Sequence, residues 1–315
     1  MKMRFMTIGL VLILFFGCGK QQEQTAEDIG KRQINAVATT GMIGDILDNI
    51  GGERLTVTTL MGPGIDPHLY KASEGDVSRM SSADIIFYNG LHLEGKMAEV
   101  LEKLQSRIKT VAVAEGVPED LLRNSEVYQG NYDPHIWFDV SLWTKAVEFV
   151  AAELIKFDPE NAGVYEKNLK SYQARLQALN KRVVKVLETV PEKQRVLVTA
   201  HDAFGYFGDA YGFEVRGLQG ISTASETGAA DVQDLAEFIV ERQIPAIFVE
   251  TSVPPRYIEA LQAAVRSRGF QVVVGGSLFS DAMGNPGTAE GTYLGMVKHN
   301  VSTIVRALVQ KRLAS

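Results

Sequence analysis

Between Pro159 and Thr189 the chain carries a single apolar stripe with almost nothing to interrupt it. Tyr165, Leu169, Tyr172, Leu176, Leu179, Val183 and Leu187 recur every three or four residues, no proline follows Pro159 until Pro191, and Gly163 is the only glycine. That spacing places all of them on one face of a helix. At ~1.5 Å per residue, about 30 residues make a helix ~45 Å long, more than one small domain needs. A coiled-coil seam repeats in a similar way, but the flanking charges lack its order. The stretch reads as a rigid strut across two bodies, and it divides the rest of the chain.

On either side of it strand-like and helix-like segments alternate. Before it, β-rich runs at 34–40, 54–61, 84–89 and 110–114 enclose helical stretches at 41–50, 73–82 and 94–106, followed by a loop at 115–134 and an amphipathic stretch at 140–156. After it, strands near 195–200, 214–218, 246–250 and 271–275 alternate with helices near 203–211, 230–243, 255–268 and 291–311. Alternation of this kind builds parallel sheets covered by helices. The expected fold is α/β: two open parallel-sheet lobes, 33–158 and 191–315, joined by one long helix within 159–190. No residue-by-residue repeat relates the halves.

The N-terminus belongs to neither lobe. Lys2 and Arg4 precede an apolar run from Phe5 to Phe16, too short to span a bilayer but long enough for the core of a signal peptide. Residues 1–17 are expected to be that signal. Cys18, the only cysteine, follows directly and opens a polar tether, 18–32. Its place suggests a lipoprotein signal with Cys18 as the lipidated first residue, although Phe15 stands where such signals usually carry Leu. The expectation is an exported protein anchored to the membrane by lipid on its periplasmic or extracellular face. With no second cysteine, disulfides and thiolate metal sites are excluded, so a transition-metal site must use His and carboxylates. The net charge of −6 and the lack of a basic run argue against nucleic acid as a partner. No glycine-rich phosphate loop is present.

Five histidines remain to be placed: 68, 92, 135, 201 and 299. Two lie in the same tripeptide, Asp66-Pro67-His68 and Asp133-Pro134-His135. Proline fixes its own φ and holds the preceding residue extended, so each imidazole projects from stiff backbone. His68 follows the second strand-like run, His201 ends RVLVTAH, and Asp281 follows QVVVGG in the segment GGSLFSDAMG. In open α/β sheets, ligands bind beyond the carboxyl ends of strands. Two candidates from each half would close a site in the cleft between the lobes, and three imidazoles with one carboxylate suit a divalent first-row ion. Each residue alone also has a plainer use: a loop histidine is more often solvated, Asp281 could cap a helix, and Asp66 and Asp133 could merely hold turns. His92 and His299 read as surface or packing residues.

Here the sequence resembles a known family. GPGIDPHLY, YNGLHLE, DPHIWFDV, VTAHDAFGYF, GLQGISTASE and LFSDAMG, spread over nearly the whole chain after the signal, are similar to segments of the TroA-like metal-binding receptor lipoproteins, the zinc/manganese substrate-binding proteins of ABC transporters. The resemblance implies two α/β lobes on one long helix, with His68, His135, His201 and Asp281 as metal ligands. It implies one divalent ion carried as cargo by a monomer and handed to an ABC permease driven by its ATPase. It also bears on the metal: family members with Glu at the third ligand position are typically manganese receptors, and His201 stands there, which leans toward zinc. Many zinc specialists carry a histidine-rich acidic loop, whereas Gly116 to Tyr132 has no histidine. Zinc is favoured, manganese follows, and iron stays open.

An alternative from another class is a zinc-dependent envelope hydrolase. It would need three protein ligands, an activated water and a glutamate base, for which Glu226 and Glu250 are the nominees. Four protein ligands leave a tetrahedral ion no open position, and there is no HExxH or GxSxG motif. Asn89, Asp202, Ser222 and Glu250 are candidates to orient the ligands. Trp137, Phe138, Phe204 and Tyr206 flank them, either as a shield or as core between the lobes.

Overall fold

In a computed structural model that describes residues 29–125, 132–225 and 227–309, the first half is built on four parallel strands. These are β1 (Ile34–Ala38), β2 (Leu55–Thr59), β3 (Ile85–Tyr88) and β4 (Lys109–Ala112), in the order β2-β1-β3-β4. Ile34 lies opposite Leu55 and Ala36 opposite Ile85. Helices α1 (Gly41–Gly51), α2 (Glu74–Ser81) and α3 (Ala98–Gln105) make the crossovers, and α4 (Val140–Phe157) follows the last strand. Central strands sandwiched by helices are apolar on both faces: Ile85, Ile86 and Phe87 are all buried. Helix α2 starts on a reciprocal cap, Ser73 accepting from the Asp76 amide and Asp76 from that of Ser73.

The long helix α5 runs Ala162–Leu187, 26 residues or ~39 Å. A separate turn of 3₁₀ helix, Pro159–Asn161, precedes it, so the helix is one turn shorter than its apolar stripe suggested. Asp158 anchors this entry: its carboxylate accepts from the Tyr165 hydroxyl at 2.7 Å, Asn161 at 2.9 Å and the Arg54 guanidinium at 3.0 Å. Tyr165, Tyr172, Leu176, Leu179, Val183 and Leu187 are buried.

Beyond α5 come β5 (Val196–His201), β6 (Glu214–Gln219), β7 (Ala246–Glu250) and β8 (Val273–Leu278), with α6 (Gly205–Tyr211), α7 (Ala229–Glu241), α8 (Arg256–Ser267) and α9 (Tyr293–Val309) between and after them. The strands form two parallel hydrogen-bonded pairs, β5 with β6 and β7 with β8, and β5 lies against β7. The spatial order β6-β5-β7-β8 therefore repeats that of the first half. Strand β8 begins two residues later than its β-rich run and continues through Gly275-Gly276, where glycines ordinarily signal an end. The reason is close packing: a Cβ on Gly275 would lie 2.5 Å from that of Ala307 in α9, and Gly276 has φ +141°.

The strut is not free-standing. It packs on α1 and α4 from the first half and on α9 from the second. One continuous apolar cluster runs from Ile34 and Phe87 through Trp143, Tyr172 and Leu176 to Phe248, Leu278 and Ile304. The two halves thus share a core. The expected signal peptide and Cys18 lie outside the described residues.

Candidate metal centre

In a sheet ordered 2-1-3-4 the crossover direction reverses between strands 1 and 3, and the crevice beyond their carboxyl ends is the natural binding position. In the second half those strands are β5 and β7. His201 is the last residue of β5 and Glu250 the last of β7. The Glu250 carboxylate accepts the His201 backbone N–H at 2.9 Å and pairs with its ring Nδ1 at 2.5 Å. That turns the imidazole so that Nε2 faces Asp281, 3.2 Å away. The matching crevice in the first half is held by Glu94, a buried carboxylate. It accepts from the Thr39 hydroxyl just past β1 and from the Asn89 backbone just past β3, both at 2.7 Å. The Asn89 amide then donates to the Pro134 carbonyl at 3.0 Å and so fixes the second Asp-Pro-His turn.

Both tripeptides fold alike. The aspartate at the first position accepts the histidine's backbone N–H, Asp66 at 2.9 Å and Asp133 at 3.0 Å. Asp133 also pairs with the ring Nδ1 of His135 at 2.7 Å, leaving Nε2 to point inward. Asp66 instead accepts from Thr223 of the second half at 2.6 Å. Asp281 lies in the segment after β8 and precedes no helix, so capping is not its role. Phe279 beside it is clamped by the Asn300 amide through both its N–H (2.9 Å) and its carbonyl (2.7 Å). The Ser280 carbonyl accepts from the Trp137 indole of the first half at 3.0 Å.

His68, His135, His201 and Asp281 converge, each offering an atom within 4.8 Å of the others'. Nε2 of His68 and Nε2 of His135 are 3.2 Å apart; Asp281 oxygens lie 3.2 Å from His201, 3.4 Å from His135 and 3.9 Å from His68. All four are buried: His135 and His201 at 0%, Asp281 at 2% and His68 at 4% exposure. Among the described residues, His201 Nε2 and both Asp281 oxygens find no hydrogen-bond partner in spite of this burial, an arrangement that costs free energy unless something else meets them.

Charge organises the group. Burial pushes the His68 pKa down to about 3, against the pull of Asp281. Burial opposes protonation of His135 too, but the Asp133 and Asp281 carboxylates outweigh it and hold the pKa at about 9. At His201 burial is likewise outweighed, by Asp281 and Glu250, and the pKa stands well above its ordinary value. Asp281 is held well below the usual carboxylate range despite its burial, by His201 and His135. Asp281 therefore requires positive charge beside it, which protons or a cation can supply.

Of the other sequence candidates, Glu250 holds the His201 ring and Asn89 the turn that carries His135, whereas among the described residues no hydrogen bond joins Asp202 or Ser222 to any of the three rings. Trp137, Phe138, Phe204 and Tyr206 are buried between the halves, with Phe138 and Phe204 ring centroids 4.1 Å apart and Trp137 5.2 Å from His135. They are core and wall at once. His92 and His299 stand outside the group; His299 lies 3.0 Å from the Ser277 carbonyl. Glu226 falls outside the described residues, and Glu250 has both oxygens engaged by His201. Sequence reasoning missed Glu94, Thr39 and Ser280; Glu94 and Ser280 lie within the segments YNGLHLE and LFSDAMG, but nothing local singles them out there. Asp133 was read only as a possible turn residue, and the spacing alone does not give its pairing with the His135 ring, since Asp66 at the same spacing accepts from Thr223 instead.

Fold and site together define a two-lobed α/β protein of the substrate-binding receptor class, with a buried group of three histidines and one aspartate drawn from both halves. The chain belongs to the family described as zinc-uptake complex component A, periplasmic, whose model matches residues 36–307. It is 48% identical over 292 residues to the manganese-binding lipoprotein MntA of Bacillus subtilis, covering 93% of this chain and 94% of that one. It is 31% identical to the manganese ABC transporter substrate-binding lipoprotein scaA of Streptococcus gordonii, over 98% of this chain and 99% of the relative. The solved periplasmic zinc-binding protein TroA of Treponema pallidum superposes with a TM-score of 0.86 at 50% identity, covering 88% of this chain and all of that one. The family is one of metal-transporter substrate-binding receptors, and nothing among these relatives supports the hydrolase alternative.

Proposed function

We propose that this chain captures one divalent metal ion outside the cytoplasm through His68, His135, His201 and Asp281, binds zinc more tightly than manganese, and delivers the ion to an ABC permease driven by its ATPase. The observation that carries the reading is the convergence of four buried side chains, two of which, His201 through Nε2 and Asp281 through both oxygens, present atoms with no hydrogen-bond partner among the described residues. A tetrahedral ion with bonds of ~2.0–2.2 Å spaces its ligand atoms ~3.3–3.6 Å apart. The separations of 3.2, 3.2, 3.4 and 3.9 Å are of that size. A divalent ion supplies the charge that Asp281 requires, and four protein ligands leave no site for an activated water, so no catalysis is assigned. The lobes are taken as 33–158 and 191–315 with 159–190 between them, a monomer anchored through Cys18 after removal of residues 1–17. The zinc preference rests on three borderline nitrogen ligands and on the general affinity order of first-row ions.

The test is metal analysis of protein purified without added metal, followed by competitive titration with zinc and manganese. One ion per chain, with zinc the tighter, is the expected result. Unchanged binding after His135→Ala would overturn the ligand set, and tighter manganese would overturn the preference alone.

A further inference from the structure

Arg123 is paired through its backbone with Asp133, the first residue of the second Asp-Pro-His turn: the Asp133 N–H donates to the Arg123 carbonyl at 2.9 Å. The pair is backed from the second half. The Tyr206 hydroxyl, carried by α6, accepts the Arg123 N–H at 3.0 Å and donates to the Asp133 carbonyl at 3.0 Å. The Arg123 guanidinium donates to the Asp209 carboxylate at 2.5 Å and to the Gly205 carbonyl at 3.4 Å, both also in α6. Three residues of one short helix thus converge on two residues of the other half.

What Arg123 faces is the carboxylate that orients a ligand. Asp133 uses one oxygen, Oδ1, for both the backbone N–H and the ring Nδ1 of His135. Its other oxygen, Oδ2, lies 3.6 Å from Arg123 Nε, which is buried and finds no hydrogen-bond partner among the described residues. A planar guanidinium can serve two carboxylates from different edges, here Asp209 through Nη1 and Asp133 through Nε. The space between is kept clear by Gly205: a Cβ there would lie 2.6 Å from Arg123 Nε and 2.9 Å from Asp133 Oδ2. The first Asp-Pro-His turn follows the same plan. Asp66 gives Oδ1 to the His68 N–H and Oδ2 to the Thr223 hydroxyl of the second half. Each aspartate is therefore steadied from the second half, Asp66 by a hydroxyl directly and Asp133 by a cation that α6 grips.

We propose that Arg123 is a positioning residue for the metal: clamped by α6, it fixes the far oxygen of Asp133 so that the near one holds the His135 ring with Nε2 toward the ion. The inference rests on the ligand set proposed above. A carboxylate free to turn about its last bond presents either oxygen to the ring, whereas one pinned from behind presents a single geometry. A ligand already held at its binding angle loses less freedom when the ion arrives. Since the whole influence of Arg123 on the ion passes through one carboxylate, it is conditional on Asp133, and that separates a positioning residue from a general support of the fold.

The experiment is zinc titration of the full mature chain against a chromophoric chelator, for Arg123→Gln, Asp133→Asn and the double variant. The visible spectra of the cobalt(II)-loaded proteins are recorded beside it, with the melting temperatures of the metal-free chains as a check on folding. Arg123→Gln should weaken zinc about tenfold, the lower end of the loss when a partner that orients a ligand is removed, and should shift the cobalt bands. In the Asp133→Asn background the same change should cost less than about twofold, because residues that act as one chain are not additive. Gly205→Ala keeps both side chains but puts a methyl group between them, and should reproduce the loss and the shift. A folded Arg123→Gln variant with zinc affinity within about twofold of wild type would overturn the inference. So would a loss of about tenfold repeated in the Asp133→Asn background, which would make the arginine a general support of the fold, an unchanged cobalt spectrum, which would leave the His135 ring undisturbed, or wild-type affinity in Gly205→Ala. Failure of the wild-type chain to bind zinc in the same assay would sink the underlying ligand set instead.

Discussion

Replacing Glu250 by glutamine changes one oxygen to an amide nitrogen without altering size, and the structure makes the consequence calculable. Glu250 is buried and serves two donors of one residue, the backbone N–H and the ring Nδ1 of His201. A carboxylate accepts both; a glutamine has one carbonyl. If that carbonyl meets the backbone N–H, the amide NH₂ faces Nδ1 and forces the ring proton onto Nε2, the nitrogen directed at Asp281. If it meets Nδ1, two N–H donors oppose each other in a dry site. Either arrangement penalises the ligating tautomer. Loss of such an orienting partner costs about 10–100-fold in metal affinity, or ~1.4–2.8 kcal/mol. Competitive zinc titration of Glu250→Gln against a chelator, with the melting temperature of the metal-free protein as a check on folding, reads it directly. A folded variant with Kd within twofold of wild type would refute the claim that Glu250 sets the orientation of His201.

His201→Glu should narrow the gap between zinc and manganese by weakening zinc more, because a carboxylate adds charge and a hard oxygen; equal losses in parallel titrations would show that His201 sets affinity without selectivity. Acid should release the metal, since imidazoles must be neutral to coordinate: in the empty site His135 holds its proton up to about pH 9 and His201 is also raised above its ordinary value, so chelator-measured affinity should fall progressively as pH drops below about 9, and a flat profile from about pH 7.5 to 5 would contradict three-histidine ligation. Asp158→Asn should destabilise the chain by about 3 kcal/mol in urea unfolding, as breaking one side of a buried pair does, by uncoupling Arg54 and Tyr165 from the start of α5. Burial alone would raise the Asp158 pKa, but Asn161, Tyr165 and Arg54 outweigh it and hold it below the usual carboxylate value. Its stabilisation is therefore present above about pH 4 and lost as pH falls through the lowered pKa, so wild type and variant should converge in acid.

The elements that could be read in advance are those whose signal is local. The α5 stripe, the strand runs and the two Asp-Pro-His turns each lie within a few residues of themselves, and a repeated tripeptide on stiff backbone is hard to mistake for chance. What escaped depends on residues far apart in the chain. Glu250 could be named as a candidate but not chosen, because only the placement of β5 against β7 brings it to His201. The Trp137 indole and the Ser280 carbonyl are 143 positions apart, and nothing in either segment announces the other. Gly275-Gly276 misled for the same reason: the glycines answer to α9 and not to their own strand.

The halves are joined by a single passage of the backbone along α5, with two of the four converging side chains on each side of it. An ion held by all four would add to the ties that the shared core and the Trp137–Ser280 and Thr223–Asp66 hydrogen bonds already make between them, closing a ring that runs from His68 to Asp281 and takes in most of the protein. The loaded chain should unfold at a higher temperature than the empty one, stabilised by RT ln(1 + [L]/Kd). The same topology sets a condition for unloading. To surrender such an ion, the chain need not unfold any element; it would be enough to draw one pair of the four side chains away from the other, leaving Asp281 charged beside a His201 ring that can again take up a proton.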